Sequence, residues 1–323
     1  MKGEKILTEN VNKNPINVLS FKHPETGQDY YTPECDVIFR NLISKTENTV
    51  MPQKFAEGIL EKEVGEVIVN VNRNFEVDSI NDKEMEADVK MISKKNGGIY
   101  IFEMQTSAPD GITKRFSAYA SSAYKSIIKK GMLYQDMPSL TLVVIMTKNI
   151  PKFKNVKNYH SVWNGREEVF KDEVFEEDIT IHVIELPKYI EHKKKTNEIN
   201  IWLEFIINPM GKEVEEAMRT KEELRLAVDM LNLLNSDDQV REMAFKEILD
   251  DIDRNSEIND NRKRALAEGR AEGIAKGRAE GRAEGKSEGK VEIIKRMIEN
   301  GISIEQISEM LKMKTSEIEE MLK

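Results

Sequence analysis

What the 323-residue chain lacks narrows its class first. It has a single cysteine, Cys35, which excludes an intramolecular disulfide and a cysteine-rich zinc site and suits a reducing compartment. No apolar run approaches the roughly 18 residues of a membrane helix, and the first residues carry no apolar signal core. The expectation is a soluble, cytoplasmic protein with no membrane partner. Histidine is scarce: His23, His160, His182 and His192 show no ligand spacing, and none is assigned to a metal. An excess of positive charge is missing as well. With 33% charged residues and a net charge of −9, bulk attraction to polyanions is not the default.

The charge is unevenly spread. Residues 107–157 carry nine Lys/Arg against two Asp/Glu, whereas residues 213–260 carry six against fifteen. The basic stretch directly follows two runs that read as strands, Glu86-Ala87-Asp88-Val89-Lys90 and Ile99-Tyr100-Ile101-Phe102-Glu103-Met104-Gln105. Asn96-Gly97-Gly98 between them is a hairpin signal, because these residues accept the positive φ of a tight turn. A turn at Asn96-Gly97 sets Asp88 opposite Gln105 and Lys90 opposite Glu103. A turn at Gly97-Gly98 slips the pairing by two residues and leaves the faces unchanged. Either register puts Asp88, Lys90, Glu103 and Gln105 on one face, and a hard divalent cation wants carboxylate oxygens held that close. A phosphodiester would meet the basic stretch beside them.

Along the chain, residues 1–32 are polar, punctuated by Pro15, Pro24 and Gly27, and read as an N-terminal arm. Helical spacing starts after Pro33 with Val37, Ile38 and Leu42, and Pro52 opens a second helix. Val67–Val71 is a strand, then comes the hairpin. Residues 110–130 read as one helix with Phe116, Tyr119, Ala120, Ala123 and Ile127 on its apolar side and Gly131 as its stop. Leu140–Met146 has the continuous apolar character of a central strand, and Thr180–Leu186 is another, halted by Pro187. This order predicts α/β with a mixed sheet over 33–195. An all-α C-terminal extension follows, divided into helices over 196–260, a repeat helix or linker over 261–292 and a helix pair over 293–323.

Residues 267–290 are six tetrapeptides of the Ala-Glu-Gly-Arg kind. Each glycine costs a helix about 1 kcal/mol relative to alanine, and like charges recur at i,i+4, so the segment is marginal alone and expected to fray or bend. The simplest reading is a solvated spacer; packing against a second copy, giving a homodimer through the C-terminal helices, is the alternative. In the helix pair, Ser303 with Gln306 forms a capping box and Thr315 caps the last helix. Its spacing is that of a helix-turn-helix core, but Glu317, Glu319 and Glu320 oppose DNA reading, and self-association is the plainer role.

Acid, about fifteen residues, then acid-x-polar on the hairpin partner is the logic of the PD-(D/E)XK nuclease core. Five further landmarks occur in order over residues 33–190. They are Asp36-Val37-Ile38-Phe39-Arg40-Asn41-Leu42, Asp88-Val89-Lys90, Ile101-Phe102-Glu103-Met104-Gln105, Arg115-x-x-x-Tyr119, and His182-Val183-Ile184-Glu185-Leu186-Pro187-Lys188. Together they resemble the Rpn recombination-promoting nuclease and transposase family of the PD-(D/E)XK superfamily, as do the repeat tail and the terminal helix pair.

The resemblance implies a restriction-endonuclease-like core and a metal-dependent endonuclease cutting double-stranded DNA in recombination or transposon-like processing. It makes Asp88 and Glu103 ligands for Mg²⁺ or another divalent cation. Gln105 takes the superfamily lysine position, where it can orient a water but brings no charge. Lys90 is our candidate for that missing charge, against an ordinary surface lysine. Asp36 is either an accessory acid or a first-turn charge favouring its helix N-terminus. Arg115 either binds a DNA phosphate or supports the carboxylates, with Lys125, Lys129 and Lys130 as further backbone contacts. Tyr119 is read as supporting or core, Glu185 as structural, and Lys193-Lys194-Lys195 as a solvated run. The alternative function is a non-cutting nuclease-fold module that binds DNA or assembles through its helical tail.

Overall fold

The computed structural model describes residues 19–45, 49–70, 88–128, 130–170, 172–193 and 197–322. Within them a six-stranded mixed sheet is built from β3 (Val67–Asn70), β4 (Val89–Ser93), β5 (Ile99–Gln105), β6 (Leu140–Met146), β7 (His160–Arg166) and β8 (Val174–Glu185). Its order is β3-β4-β5-β6-β8-β7; β5, β6 and β8 are parallel and the outer pairings antiparallel. This is the α/β architecture that the sequence predicts. Every residue of β6 is buried, as its apolar run requires.

The link from β5 to β6 carries helix α3 (Ile112–Lys125), which sets Phe116, Tyr119, Ala120 and Ala123 against Leu142, Val144 and Ile101. The helix is shorter than expected. Ser126 ends it, although Ile127 beyond still packs into the same cluster. The other face is covered by α1 (Asp36–Ser44), α2 (Val50–Leu60) and α5 (Glu198–Ile207). There Phe55 contacts Phe39, Phe102 and Trp202 at ring separations of 5.8, 5.3 and 5.3 Å. Gly58 makes this approach possible, since a Cβ there would lie 2.3 Å from the Trp202 ring.

Helices α6 (Lys212–Met218), α7 (Glu222–Ser236) and the start of α8 (Asp238–Glu299) extend that core with Val214, Leu231, Val240, Ala244 and Ile248. The boundary expected at 195/196 therefore falls inside one compact unit, which runs to Asn255. Part of the expected arm is folded too. β1 (Ser20–Lys22) and β2 (Asp29–Tyr31) pair, and Asn235 exchanges hydrogen bonds of 2.7 and 3.0 Å with the Tyr31 backbone. Residues 1–18 lie outside the described residues.

Two strand features departed from expectation. β7, polar and at the sheet edge, has no apolar alternation to announce it, and β8 begins six residues earlier than its apolar part. Pro187 does stop β8, because it opens the short helix α4 (Leu186–Glu191).

A second compact unit spans Ser256–Lys323. It holds the rest of α8, α9 (Ile304–Leu311) and α10 (Thr315–Met321), around Ile294, Ile307 and Ile318. The Ser303–Gln306 capping box is present, but Lys314 rather than Thr315 is the last N-cap. The repeat lies within continuous helix instead of fraying. Ala, Glu, Arg and Lys are strong helix formers, and propagation from helix already formed at both ends avoids the nucleation cost that an isolated segment meets.

Candidate active site

The β4–β5 hairpin decides the site. Its register pairs Val89 with Phe102 and Lys90 with Ile101, so Asp88 stands across from Glu103. Neither expected register is correct. The loop is the four residues Lys94 to Gly97, closed by Ser93 N donating to Gly98 O at 2.9 Å, with Gly97 at φ 72°. Lys94 and Lys95 are thus part of the turn. Because the slip is again by two, Asp88, Lys90, Glu103 and Gln105 still share a face, the one beneath α3.

Asp88 and Glu103 are interlocked at the backbone. Asp88 N donates to Glu103 Oε1 at 3.2 Å, and Met104 N donates to Asp88 Oδ2 at 2.7 Å. Each carboxyl also shifts the protonation of the other. A third acid joins them: Asp36, at the first turn of α1, hydrogen-bonds to the Asp88 side chain while Arg40 Nε stands 3.4 Å from its Oδ1. Asp36 thus lies in the first turn of α1 and against Asp88. Tyr119 has a buried ring in the α3 core, and its hydroxyl hydrogen-bonds to Glu103.

Burial is the main cause lifting the Asp88 carboxyl well above its ordinary range, and the charges of Glu103 and Asp36 add to it. Burial likewise raises Glu103 to about 7, although hydrogen bonds from Tyr119 and the Asp88 amide act against the rise. Two buried carboxyl groups with a third, partly exposed, beside them form the donor chemistry of a hard cation. Among the described residues no three His, Cys, Asp or Glu side chains form a set that could hold an ion by themselves. Mg²⁺ does not need one, since it takes one or two carboxylates and keeps waters or substrate oxygens in its other positions. The donor pair therefore fits the ion.

A family model described as PD-(D/E)XK nuclease family transposase matches residues 33–261. The chain belongs to that family. It is a nuclease family of transposase type, and PD-(D/E)XK nucleases in general use divalent metal ions. The match extends past the sheet through α5, α6 and α7 into α8, so the family includes the helices that share the sheet's core. No curated relative and no solved structure matches the chain. No helix among the described residues is long and apolar enough to cross a membrane.

In this family member the remaining expected residues divide into two groups. Gln105, Arg115 and Tyr119 line one small pocket with Glu103. Gln105 Nε2 donates to Met104 O at 3.1 Å, which leaves its amide oxygen as the acceptor. Lys90 is half-buried on the same face and burial lowers its pKa; its cross-strand neighbour is Ile101, not an acid. Lys125 is ten residues beyond Arg115, roughly 15 Å along α3 at 1.5 Å per residue, and Lys130 lies farther on. Lys125 is at the opposite end of the helix from the carboxyls, and Lys130 follows the helix. Lys129 lies outside the described residues.

Other cations sit where those lysines were expected. Lys114 adjoins Arg115 in the first turn of α3. Lys148 follows Thr147, whose N–H bonds Gln105 O at 2.9 Å, and Lys152 Nζ is 3.4 Å from Thr113 Oγ1. The signal for them was available, since ligands gather at the carboxyl ends of parallel strands. Glu185 is structural, as expected: it accepts from Ile150 N at 2.7 Å and pairs with the buried Lys188.

Proposed function

We propose that this chain is a Mg²⁺-dependent endonuclease that hydrolyses phosphodiester bonds in double-stranded DNA during recombination or transposon-like processing. One observation carries the reading. Two buried carboxyls on adjacent antiparallel strands, Asp88 and Glu103, touch each other at the end of a sheet beside Arg115.

Asp88 and Glu103 are the residues to hold the ion, and when bound it would polarise the phosphoryl group and acidify a water. Gln105 would accept a hydrogen bond from an attacking water through its amide oxygen and aim it, without the charge that a lysine would add. Tyr119 keeps the Glu103 carboxylate turned toward the site. Arg115, supported by Lys114, Lys148 and Lys152, meets the DNA backbone in place of Lys125 and Lys130; these contacts fix position and carry no base information. A homodimer through the C-terminal helices would present two such sites to the two strands.

The test is nicking of supercoiled plasmid by the purified full chain with and without Mg²⁺, comparing wild type with Asp88→Ala. Cleavage that survives in Asp88→Ala overturns the assignment. Salt-sensitive DNA binding by a wild type that neither binds Mg²⁺ nor cuts would select the non-cutting module instead.

A further inference from the structure

We infer that Glu247 and Asp251, one turn apart on α8, are positioning residues that hold in place the two segments bearing Asp36 and Gln105. The inference rests on the metal-site reading above.

α1 starts badly on local grounds. Its N-cap is Cys35, a residue outside the set of good caps, and the Cys35 side chain makes no capping bond. The first N–H groups of a helix have no partner within it. Here they are satisfied from 210 residues away. Asp36 N donates to Glu247 Oε1 and Val37 N to Glu247 Oε2, both at 2.8 Å, and Cys35 Sγ donates to Oε2 at 3.3 Å. Both oxygens of one carboxylate are committed to one helix terminus.

That choice carries a cost. A carboxylate suits a helix N-terminus, but this one is mostly buried and faces the negative charge of Asp36. A serine or asparagine at position 35 would cap α1 without bringing a fourth acid near Asp88 and Glu103. What the distant carboxylate adds is a link between α1 and α8. One turn farther on, Asp251 accepts a hydrogen bond from the Thr106 hydroxyl and holds Arg254 at 2.9 Å. Thr106 immediately follows Gln105. A single helical face therefore grips the start of α1, which brings Asp36 to Asp88, and the end of β5, which carries Glu103 and Gln105. Ile248 and Val240 bury the same helix in the core, so the grip has a firm base. Neither acid touches the ion or the substrate. Their role is to fix distances between groups that do, where an error of about 1 Å is expensive.

The experiment uses the purified full chain and the variants Glu247→Ala, Glu247→Gln and Asp251→Asn. It reads Mg²⁺ affinity by calorimetry, kcat and KM for plasmid, amide exchange at Asp36 and Val37, and thermal melting. Partners that orient metal ligands typically contribute 10–100-fold to affinity. The expected result for Glu247→Ala is about tenfold weaker Mg²⁺ binding, a comparable fall in kcat with KM for DNA little changed, and faster exchange at both amides. Glu247→Gln, which keeps one acceptor, loses less, and Asp251→Asn loses least. A folded Glu247→Ala or Glu247→Gln protein with wild-type Mg²⁺ affinity and kcat overturns the inference, even if its melting temperature is lower. A wild type that binds no Mg²⁺ overturns the functional reading and takes this inference with it.

Discussion

Helix α8 contains two stretches with the same four-residue spacing and opposite fates. In the first, Val240, Ala244 and Ile248 fall at that spacing and are buried, with Ile252 packed on the same core. In the second, small residues recur at the same interval, and residues 267–288 are exposed throughout. A Cβ added at Gly269, Gly273, Gly277, Gly281, Gly285 or Gly289 would meet nothing within 4 Å. The period is shared; what differs is the size of the side chain that recurs. Valine and isoleucine side chains remove enough apolar area from water to fix a helix face in the core, whereas a run of only methyls and hydrogens does not. Only the fixed stretch carries acids that reach segments of the site, Glu247 at the start of α1 and Asp251 at the end of β5.

The largest effects should therefore belong to groups at the packed end. Asp88→Ala is expected to reduce plasmid cleavage by about a thousandfold or more, the scale for losing one ligand of a catalytic cation. Folding should survive, because removing one of two like-charged buried acids relieves repulsion. Circular dichroism beside the nicking assay checks both halves.

Matched isoleucines on the one helix test packing directly. Ile248 is 4% exposed and Ile274 is 49% exposed. Ile248→Ala should cost about 3 kcal/mol in urea denaturation through lost burial and the cavity left behind. Ile274→Ala should stay within about 0.5 kcal/mol. Equal costs would mean that the repeat has a buried face after all.

Acidity probes the carboxyl pair. Glu103 is raised from 4.5 to about 7 and Asp88 is raised too, so between those values the metal-free native state binds more protons than the unfolded chain. Stability must then fall as pH rises through that window, by about 3 kcal/mol at most for the pair's first proton. The stabilisation is complete below the unfolded pKa and is lost above the folded one. Mg²⁺ needs the ionised form, so its affinity should rise over the same range and restore what the metal-free protein loses. Urea midpoints at pH 5 and pH 8, in chelator and in Mg²⁺, measure it. A metal-free chain equally stable at both would contradict the buried pair.

How much of this was legible beforehand depended on range. The hairpin acids were readable because strand alternation fixes faces even when the register is mistaken, and a slip of two residues left Asp88 and Glu103 together. Arg115 and Tyr119 were readable because one helical turn separates them. That Lys125 stands at the far end of α3 was not readable, because charge density along the sequence says nothing about which end of a crossover helix meets the site. Glu247 had no local signal at all. Only the weakness of Cys35 as a cap hinted that something distant must complete α1.

The smallest effect lies in the repeat. Gly277→Ala and Gly281→Ala, made together, remove two flexible positions where the added methyls meet no atom of the chain. Each should favour local helix by about 1 kcal/mol, seen as slower amide exchange over 267–290. Melting of the unit that ends at Asn255 should not change. If instead a second copy lies against the glycine ridge, the methyls would hold the helices apart, and sedimentation would show weaker association together with unchanged plasmid nicking per chain. Helix propensity and close packing predict opposite signs for one substitution, so the pair of measurements separates a solvated spacer from a dimer contact.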